Sequence, residues 1–442
     1  MKIAIIGAGF TGLAAAFSLS KDKHEIFVFE KDKDPGGLAI GFAEKEWNWT
    51  LEKHYHHWFS NDNFILSLAK EINYKVIVKR PKTSVYVGGK IYQLDSPLHA
   101  LKFPLLPLAD KLRMGFVLGL LRLNPLWKPL EKFKTHSTLL KIMGRKSYEM
   151  IWEPQLANKF GGFFKDISLA WFWARIKKRT PKLVYPSGGF LGFANRLVRE
   201  CERRNVKFLF GAEVEEIKKS DNGVEIKYKE NGKWKMENGK YDAVIVTLPS
   251  FFFLNIARDL PENYREQLMS LKGLGAINLV LRLKKPFLTD GTYWLSICEK
   301  NAPIMAIVEH TNFMDKVNYN GECIVYLGNY LPAGHPYFSM DKEQLLEEYT
   351  PFLKKINKDI LKNIIGYEVF KVPFAQPIIP TNYSKKVPPF KTPIPNVLLA
   401  NIQQVYPWDR GTNYAIELGK KVAEIMLKEN LDKPARPVKA AA

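Results

Sequence analysis

Cysteine is scarce in this chain. Only Cys201, Cys298 and Cys323 occur in 442 residues, odd in number, far apart and never as CxxC, which argues against a disulfide framework and a cysteine-based zinc site. A reducing, cytoplasmic compartment fits that usage. No apolar run reaches the roughly 20 residues that a membrane-spanning helix requires, so a membrane would be met from one side only, peripherally at its inner face. The apolar N-terminus has Lys2 as its one basic flank, a poor match to a secretory leader. Acidic residues are also short, 45 Asp plus Glu against 66 Lys plus Arg, for a formal charge of +21. Such a surplus attracts anionic partners. The basic residues are spread along the chain, and no zinc finger or RNA-binding aromatic motif accompanies them, so nucleic acid is not an expected partner, whereas an anionic membrane surface is.

Apolar residues are plentiful. At 46% hydrophobic and 25% charged the chain has a globular composition. Lys2 to Ile6 is a short apolar run ending at Gly7, Leu13 to Leu19 opens an Ala-rich helix, and residues 25 to 30 read as a second strand, together a βαβ unit. Lys82 to Leu94 reads as a hairpin around Gly88 and Gly89. Residues 97 to 180 become Leu-, Phe- and Trp-rich with helical spacing, interrupted by Pro104, Pro107, Pro125 and Pro129. Strands return at 206–217, 224–228 and 243–247, and then at 276–283, 304–308 and 323–326. A helix is expected at 342–355, a strand at 397–400 and a helix at 413–428.

Gly7, Gly9 and Gly12 form GxGxxG between a strand and a helix. In that setting Gly7 permits a tight turn, Gly9 lets backbone approach a pyrophosphate, and Gly12 lets the helix pack on the strand, so the free N–H groups of the turn through Ala8, Phe10 and Thr11 face the phosphates. Glu30, with Lys31 beside it, ends the second strand 23 positions after Gly7. A carboxylate there can accept from an adenosine ribose, and would repel the extra phosphate of NADP.

Gly36, Gly37 and Leu38 follow after a short charged link. The stretch from Lys2 to Gly37 resembles the two-dinucleotide-binding flavoproteins, in which a second glycine turn packs near the pyrophosphate. Further segments resemble the flavin amine oxidase, protoporphyrinogen oxidase and phytoene desaturase superfamily: YPSGGF at Gly188 and Gly189, AEVEEI at Val214, DAVIVTLP ending at Pro249, and NVLLANIQQVYPWDRGTNYAIELG near the C-terminus. That resemblance implies an α/β fold with an FAD-binding Rossmann-like domain, a mixed-sheet substrate domain and a helical insertion. The implied FAD domain is discontinuous, residues 1–80, 185–255 and 390–430, with a substrate domain of 81–96 and 256–389, an insertion of 97–184 and a flexible tail of 431–442. It also implies that Val214 holds the adenine through its backbone, that Asn401 hydrogen-bonds near the ribityl chain, and that the helix start at Gly411, Thr412, Asn413 and Tyr414 points at the flavin ring, where its dipole stabilises negative charge. Three positions depart from the superfamily. Asp34 and Leu38 replace arginines, Ala400 and Asn401 replace a Gly-Asp pair, and GAINLVLR at 275–282 lacks the lysine that amine oxidases place near the flavin.

Two groups of residues are candidates for the chemistry. His54, His56 and His57 lie in EKHYHHWF. In a strand His54 and His56 would share a face with His57 opposed, so one metal could not use all three. A packed polar strand end is one reading. A flavin-facing role for His56 and His57 is the other, by loose resemblance to the HxFH stretch of UDP-galactopyranose mutase. Tyr406 and Trp408 precede the flavin-facing helix end and are expected either to line the substrate cavity or to pack in the core. Residues 97–130 combine long apolar stretches with Lys102, Lys111, Arg113 and Arg122, which suits either an interfacial helix pair or a buried core. The function expected is an FAD-dependent oxidoreductase acting on a small apolar or lipid-like substrate with an unspecified electron acceptor. The alternatives are a redox-neutral flavoenzyme of the mutase kind and a non-catalytic FAD-binding protein at the membrane surface.

Overall fold

In the computed structural model, residues 1–230, 233–236 and 240–428 are described; the expected tail of 431–442 lies outside them. The apolar run Lys2–Ile6 is the centre of a five-stranded, all-parallel sheet. Its spatial order is Lys207–Phe210, Glu25–Glu30, Lys2–Ile6, Ala243–Val246 and Val397–Leu399. Successive side chains alternate between faces. Ile3, Ile5, Val28 and Ile245 pack beneath the helix Phe10–Leu19. Ala4, Ile6, Phe29 and Val246 face a three-stranded antiparallel sheet instead, with Phe29 edge-on to Tyr228 at 5.1 Å. Burial on both faces explains why these strands are apolar at every position but their ends.

The expected strand over 206–217 divides in two. Gly211, at φ +72°, turns the chain from Lys207–Phe210 in the parallel sheet into Ala212–Ser220 of the antiparallel one. The C-terminal helix Thr412–Lys428 packs on Phe10–Leu19 closely enough that a Cβ on Gly419 would lie 2.3 Å from the Thr11 carbonyl oxygen.

A second sheet has seven strands, in the order Ile364–Pro377, Gly273–Leu283, Cys323–Leu331, Ala306–Glu309, Thr292–Ile297, Lys82–Val87 and Lys90–Gln93. The helix Lys342–Ile356 packs against it, opened by a capping box of Asp341 and Gln344. The sequence pattern misses Thr292–Ile297 and the 14-residue strand Ile364–Pro377. The latter contains Gly366 and Pro373, which read as breakers. It lies at the sheet edge, where a proline forfeits no ladder bond, and its register shifts close to Pro373.

Between Pro97 and Lys178 the chain is helical. Pro97–Lys102, Leu108–Leu123, Thr135–Ile142, Glu153–Phe160 and Leu169–Lys178 are α-helices, and Pro104, Pro107, Pro125 and Pro129 fall in the turns between them or in a short 3-10 turn.

Glu52 joins these layers. Its buried carboxylate accepts from the Tyr185 hydroxyl at 2.9 Å and from the Phe190 N–H at 2.8 Å, and its main-chain carbonyl accepts from the Tyr326 hydroxyl at 2.6 Å. Burial pushes its pKa from 4.5 up to about 7, against the pull of those hydrogen bonds. A carboxyl with a raised folded pKa favours the fold fully below the unfolded value, and that contribution is lost as pH rises through the folded value, here from 4.5 to about 7. The loss is on the order of 3 kcal/mol. Glu52→Gln keeps an acceptor without the charge. Urea melts from about pH 5 to pH 8 are therefore expected to show a flatter pH dependence for the variant and greater stability than wild type at the upper end. Glu309, also raised to about 7, keeps part of the slope in both proteins. An unchanged slope in the variant would refute the assignment.

Candidate functional site

The two glycine turns meet. Gly7, at φ +101°, donates its N–H to the Phe29 carbonyl at 2.8 Å. A Cβ on Gly12 would lie 1.9 Å from the Gly7 carbonyl oxygen, so the helix can start only with glycine there. The Gly36 N–H donates to the Ala8 carbonyl at 3.0 Å, Gly9 bridges Gly36, and a Cβ on Gly37 would lie 3.1 Å from the Gly9 Cα. The result is a backbone-only surface at the start of a helix whose N-cap, Gly9, provides no side-chain cap. Bare N–H groups at a helix start suit a pyrophosphate.

Glu30 is 8% exposed and accepts from the Ala8 N–H at 2.7 Å and the Asp32 N–H at 3.0 Å. Burial pushes its pKa up, opposed by these two bonds. Each oxygen retains a lone pair for a ribose hydroxyl. The Gly211 N–H donates to the Asp32 carbonyl at 3.1 Å, which sets the strand carrying Val214 beside Glu30. Lys31 lies over the Phe252 ring, and Phe10 stacks on Phe193 at 5.9 Å, inside the core. These features fit the adenosine diphosphate half of FAD.

At the other end, several side chains expected to face the cofactor are engaged within the protein. Asn401 Oδ1 accepts from the Gln403 N–H, and its Nδ2 donates to the Leu248 carbonyl and the Ser250 hydroxyl. That commits the amide, which was expected to hydrogen-bond near the ribityl chain, to capping a turn. Thr412 Oγ1 accepts from the Trp58 indole at 2.8 Å, Asn413 Oδ1 accepts from the Phe64 and Ile65 N–H groups, and Tyr414 stacks with Trp408. After Gly411 it is the orphan backbone N–H groups of the helix start that can act on a ligand.

Leu38, His54, His56, Asn278, Tyr330 and Arg410 line a cleft. The histidine segment is not a strand. The chain leaves a two-stranded sheet after Leu51–Glu52 and enters a separate three-stranded one at Trp58–Phe59, and in the bend His56 Nδ1 lies 2.6 Å from the His54 carbonyl oxygen. A carbonyl can only accept, so His56 carries its proton on Nδ1 and offers Nε2 as an acceptor. His54 Nδ1 accepts from Asn278 Nδ2 at 2.6 Å, which puts the His54 proton on Nε2. Burial pushes the His54 pKa down to about 3 and the His56 pKa to about 4, so both rings are neutral near pH 7. His57 turns away and meets the Tyr293 hydroxyl at 3.0 Å, its pKa likewise pushed down by burial to about 3.

Tyr406 and Trp408 are not among the residues lining this cleft. The Tyr406 hydroxyl donates to Glu131 at 3.0 Å, and Trp408 stacks on Trp173 at 5.3 Å, the packing reading of that pair. The sequence pattern does not single out Asn278, Tyr330 and Arg410 as wall residues, and of the histidine cluster it is His54, not His57, that joins His56 in the wall. Asn278 lies within the strand where a lysine was sought, and Arg410 directly precedes the glycine that opens the last helix, so the signal was position in an identified segment rather than residue type. Glu30→Ala removes the acceptor shared by two backbone N–H groups. It is expected to weaken FAD affinity roughly 10- to 100-fold and to lower stability by about 1–3 kcal/mol. Equilibrium dialysis and urea melts measure the two effects, and undiminished FAD affinity would remove Glu30 from the site.

Residues 10–427 match the family described as flavin containing amine oxidoreductase. Zeta-carotene desaturase of Solanum lycopersicum is 30% identical over 133 residues, 27% of this chain and 22% of that protein, so the match spans about a fifth of the relative's length. A 4,4'-diapophytoene desaturase of Staphylococcus aureus is 57% identical over 37 residues, 8% of this chain and 7% of that protein. Among solved structures, a protein designated a protoporphyrinogen oxidase from Exiguobacterium sp. 255-15 superposes with a TM-score of 0.74 at 15% identity, covering 97% of this chain and 99% of the other. Reduced UDP-galactopyranose mutase superposes with a TM-score of 0.73 at 16% identity, covering 96% and 95%. These likenesses show the shared α/β fold. With a family match over almost its whole length and a backbone cradle suited to FAD, the chain belongs to the flavin-containing amine oxidoreductase family.

Proposed function

We propose that the protein is of the oxidase or desaturase type and removes hydride from an apolar, lipid-like substrate reached from an anionic membrane surface. Gly7 to Gly12, Glu30, Gly36, Gly37 and Val214 hold the adenosine diphosphate half of FAD. The N–H groups at the start of Thr412–Lys428 lie toward the ring. When bound, the flavin supplies the hydride acceptor. The neutral His56 can take a proton at Nε2, and Leu38 and Ala276 give the cleft an apolar side.

The observation that carries the lipid reading is one face of the helix Leu108–Leu123. Leu108, Leu112, Phe116 and Leu120, four residues apart, are 62%, 57%, 67% and 53% exposed, and Leu123 is 79% exposed. Leu98, Leu101, Leu126 and Phe133 add exposed apolar surface from the flanking segments. Contiguous exposed apolar surface of this kind marks an interaction site. Residues 97–134 contain seven Lys and Arg against two acids, the charge balance that favours anionic head groups. Arg113 and Arg122 hold the helix in place, donating to the Ile142 and Lys141 carbonyls and to the Ile176 and Arg179 carbonyls. Lys102, Lys128 and Lys132 are exposed. The insertion also reaches inward, where Lys159 lies over the ring of Tyr330 in the cleft wall, so one unit links the apolar surface to the cleft. Among the described residues no helix is long and apolar enough to cross a membrane.

Two measurements test this reading. Anaerobic titration of the FAD-loaded protein with lipid-like substrates is expected to bleach the flavin; turnover only after dithionite reduction would instead favour the redox-neutral chemistry of the mutase kind, which the fold likeness to UDP-galactopyranose mutase suggests. In flotation assays the protein is expected to bind phosphatidylglycerol vesicles at least tenfold better than phosphatidylcholine vesicles. A triple variant, Leu112→Asp, Phe116→Asp and Leu120→Asp, is expected to lose that binding while keeping its FAD. Equal flotation of variant and wild type would refute the membrane assignment.

A further inference from the structure

Beside the cleft, three cations lie around one carboxylate, with which only Arg175 forms an ion pair. Arg175 pairs with Asp409 at 3.1 Å, and the Trp171 indole donates to the other Asp409 oxygen at 3.0 Å. Arg410 has no carboxylate within 4 Å among the described residues. Its Nε donates to Gln376 Oε1 at 3.0 Å, its Nη2 donates to the Tyr330 hydroxyl, and the guanidinium lies 5.0 Å from the centre of the Tyr330 ring. Lys159 is likewise without an ion pair among the described residues. Its ammonium sits 4.8 Å from the centre of the Tyr330 ring, 5.7 Å from that of Trp171 and 5.8 Å from that of Phe160. Arg179, one helical turn beyond Arg175, is exposed at the end of that helix and lies outside the group.

The electrostatics match the geometry. Burial works against the charge of Asp409, yet Lys159, Arg175 and Arg410 hold its pKa down to about 2. Burial pushes the pKa of Lys159 well down, Asp409 partly restores it, and Arg175 and Arg410 push it down further. An excess of like charge among half-buried groups is costly unless an anion joins it. Aromatic faces hold Lys159 and Arg410 in place without neutralising them. The cluster is also continuous with the cleft, because Tyr330 and Arg410 belong to both.

We propose that Lys159, Arg175 and Arg410, grouped around Asp409, form a subsite for an anionic group of the substrate, a carboxylate or a phosphate. This rests on the reading of the cleft as the place where a lipid-like substrate is oxidised, and narrows that substrate to an amphiphile with an apolar body and an acidic head. Arg410 faces the cleft and offers a planar fork for two oxygens. Lys159 offers a point charge, and Asp409 keeps Arg175 aligned.

Calorimetry on the FAD-loaded protein in about 0.15 M salt, with decanoate, decyl phosphate and decanol as probes, tests the assignment. One or both anionic probes are expected to bind at least tenfold more tightly than decanol, and which of the two binds better distinguishes carboxylate from phosphate. Lys159→Met is expected to weaken the anionic probe at least tenfold, leaving decanol binding and FAD content unchanged. Lys159→Met is further expected to raise the melting temperature without ligand, since an unpaired charge is removed from among aromatic rings. Equal binding of decanol and the anions by wild type would overturn the proposal. Loss of FAD affinity in step with probe affinity would also overturn it, because the cations would then serve the cofactor. A protein that binds the anions through these residues but whose flavin no substrate bleaches would keep the subsite and remove the oxidation reading. Bleaching by a neutral lipid with no effect of the anions would do the reverse.

Discussion

The contact of Gly9 with Gly36 and Gly37 is the constraint on which the site depends. Two turns separated by a whole βαβ unit come within backbone distance, with Gly36 donating to the Ala8 carbonyl and Glu30 accepting from the Ala8 N–H. A side chain at Gly37 would press on the Gly9 backbone. Because Glu30 draws two N–H groups to itself from a buried position, the loop has its shape before any ligand arrives. A cradle that is already formed loses little conformational freedom on binding.

The cleft extends that logic from backbone to side chains. His54 and His56 are fixed in opposite tautomers, one by an asparagine amide and the other by a main-chain carbonyl, and burial keeps both uncharged. Positive charge in this part of the molecule is therefore concentrated in the Lys159 and Arg410 group rather than spread over the histidines. A neutral, hydrogen-bonding wall on one side and a cationic group on the other give the cleft a polarity, which orients a substrate with unlike ends.

The helical insertion joins this interior to the outside. Its inner face contributes Phe160, Trp171 and Trp173 to the core. Its outer face leaves leucines and a phenylalanine in water. The helix Leu108–Leu123, held on one side by buried Met114, Val117 and Leu121, keeps its apolar stripe exposed on the other. Arg113 and Arg122 fasten it further by donating to neighbouring carbonyls, so basic residues that look from the sequence like head-group ligands are structural here.

The local elements of the FAD domain were legible in the sequence because each is specified by neighbours: a fully apolar strand, glycines at positions that tolerate no Cβ, an acid at a strand end. The superfamily resemblance rested on these same short segments. Thr292–Ile297 and Ile364–Pro377 were not legible, since the first is short and the second carries Gly366 and Pro373, tolerated only because it lies at a sheet edge. Nor could the sequence place the histidines. Their apparent strand is a bend, and the rings of His54 and His57 are set by Asn278 and Tyr293, more than 200 positions away. Lys159, Arg175, Asp409 and Arg410 come from the insertion and the C-terminal segment, so only the folded chain brings their charges together. What depends on the conformation of consecutive residues is determined by the sequence pattern alone; a cleft built from groups distant along the chain is decided by tertiary packing, because burial and charge have no meaning until the neighbours are known.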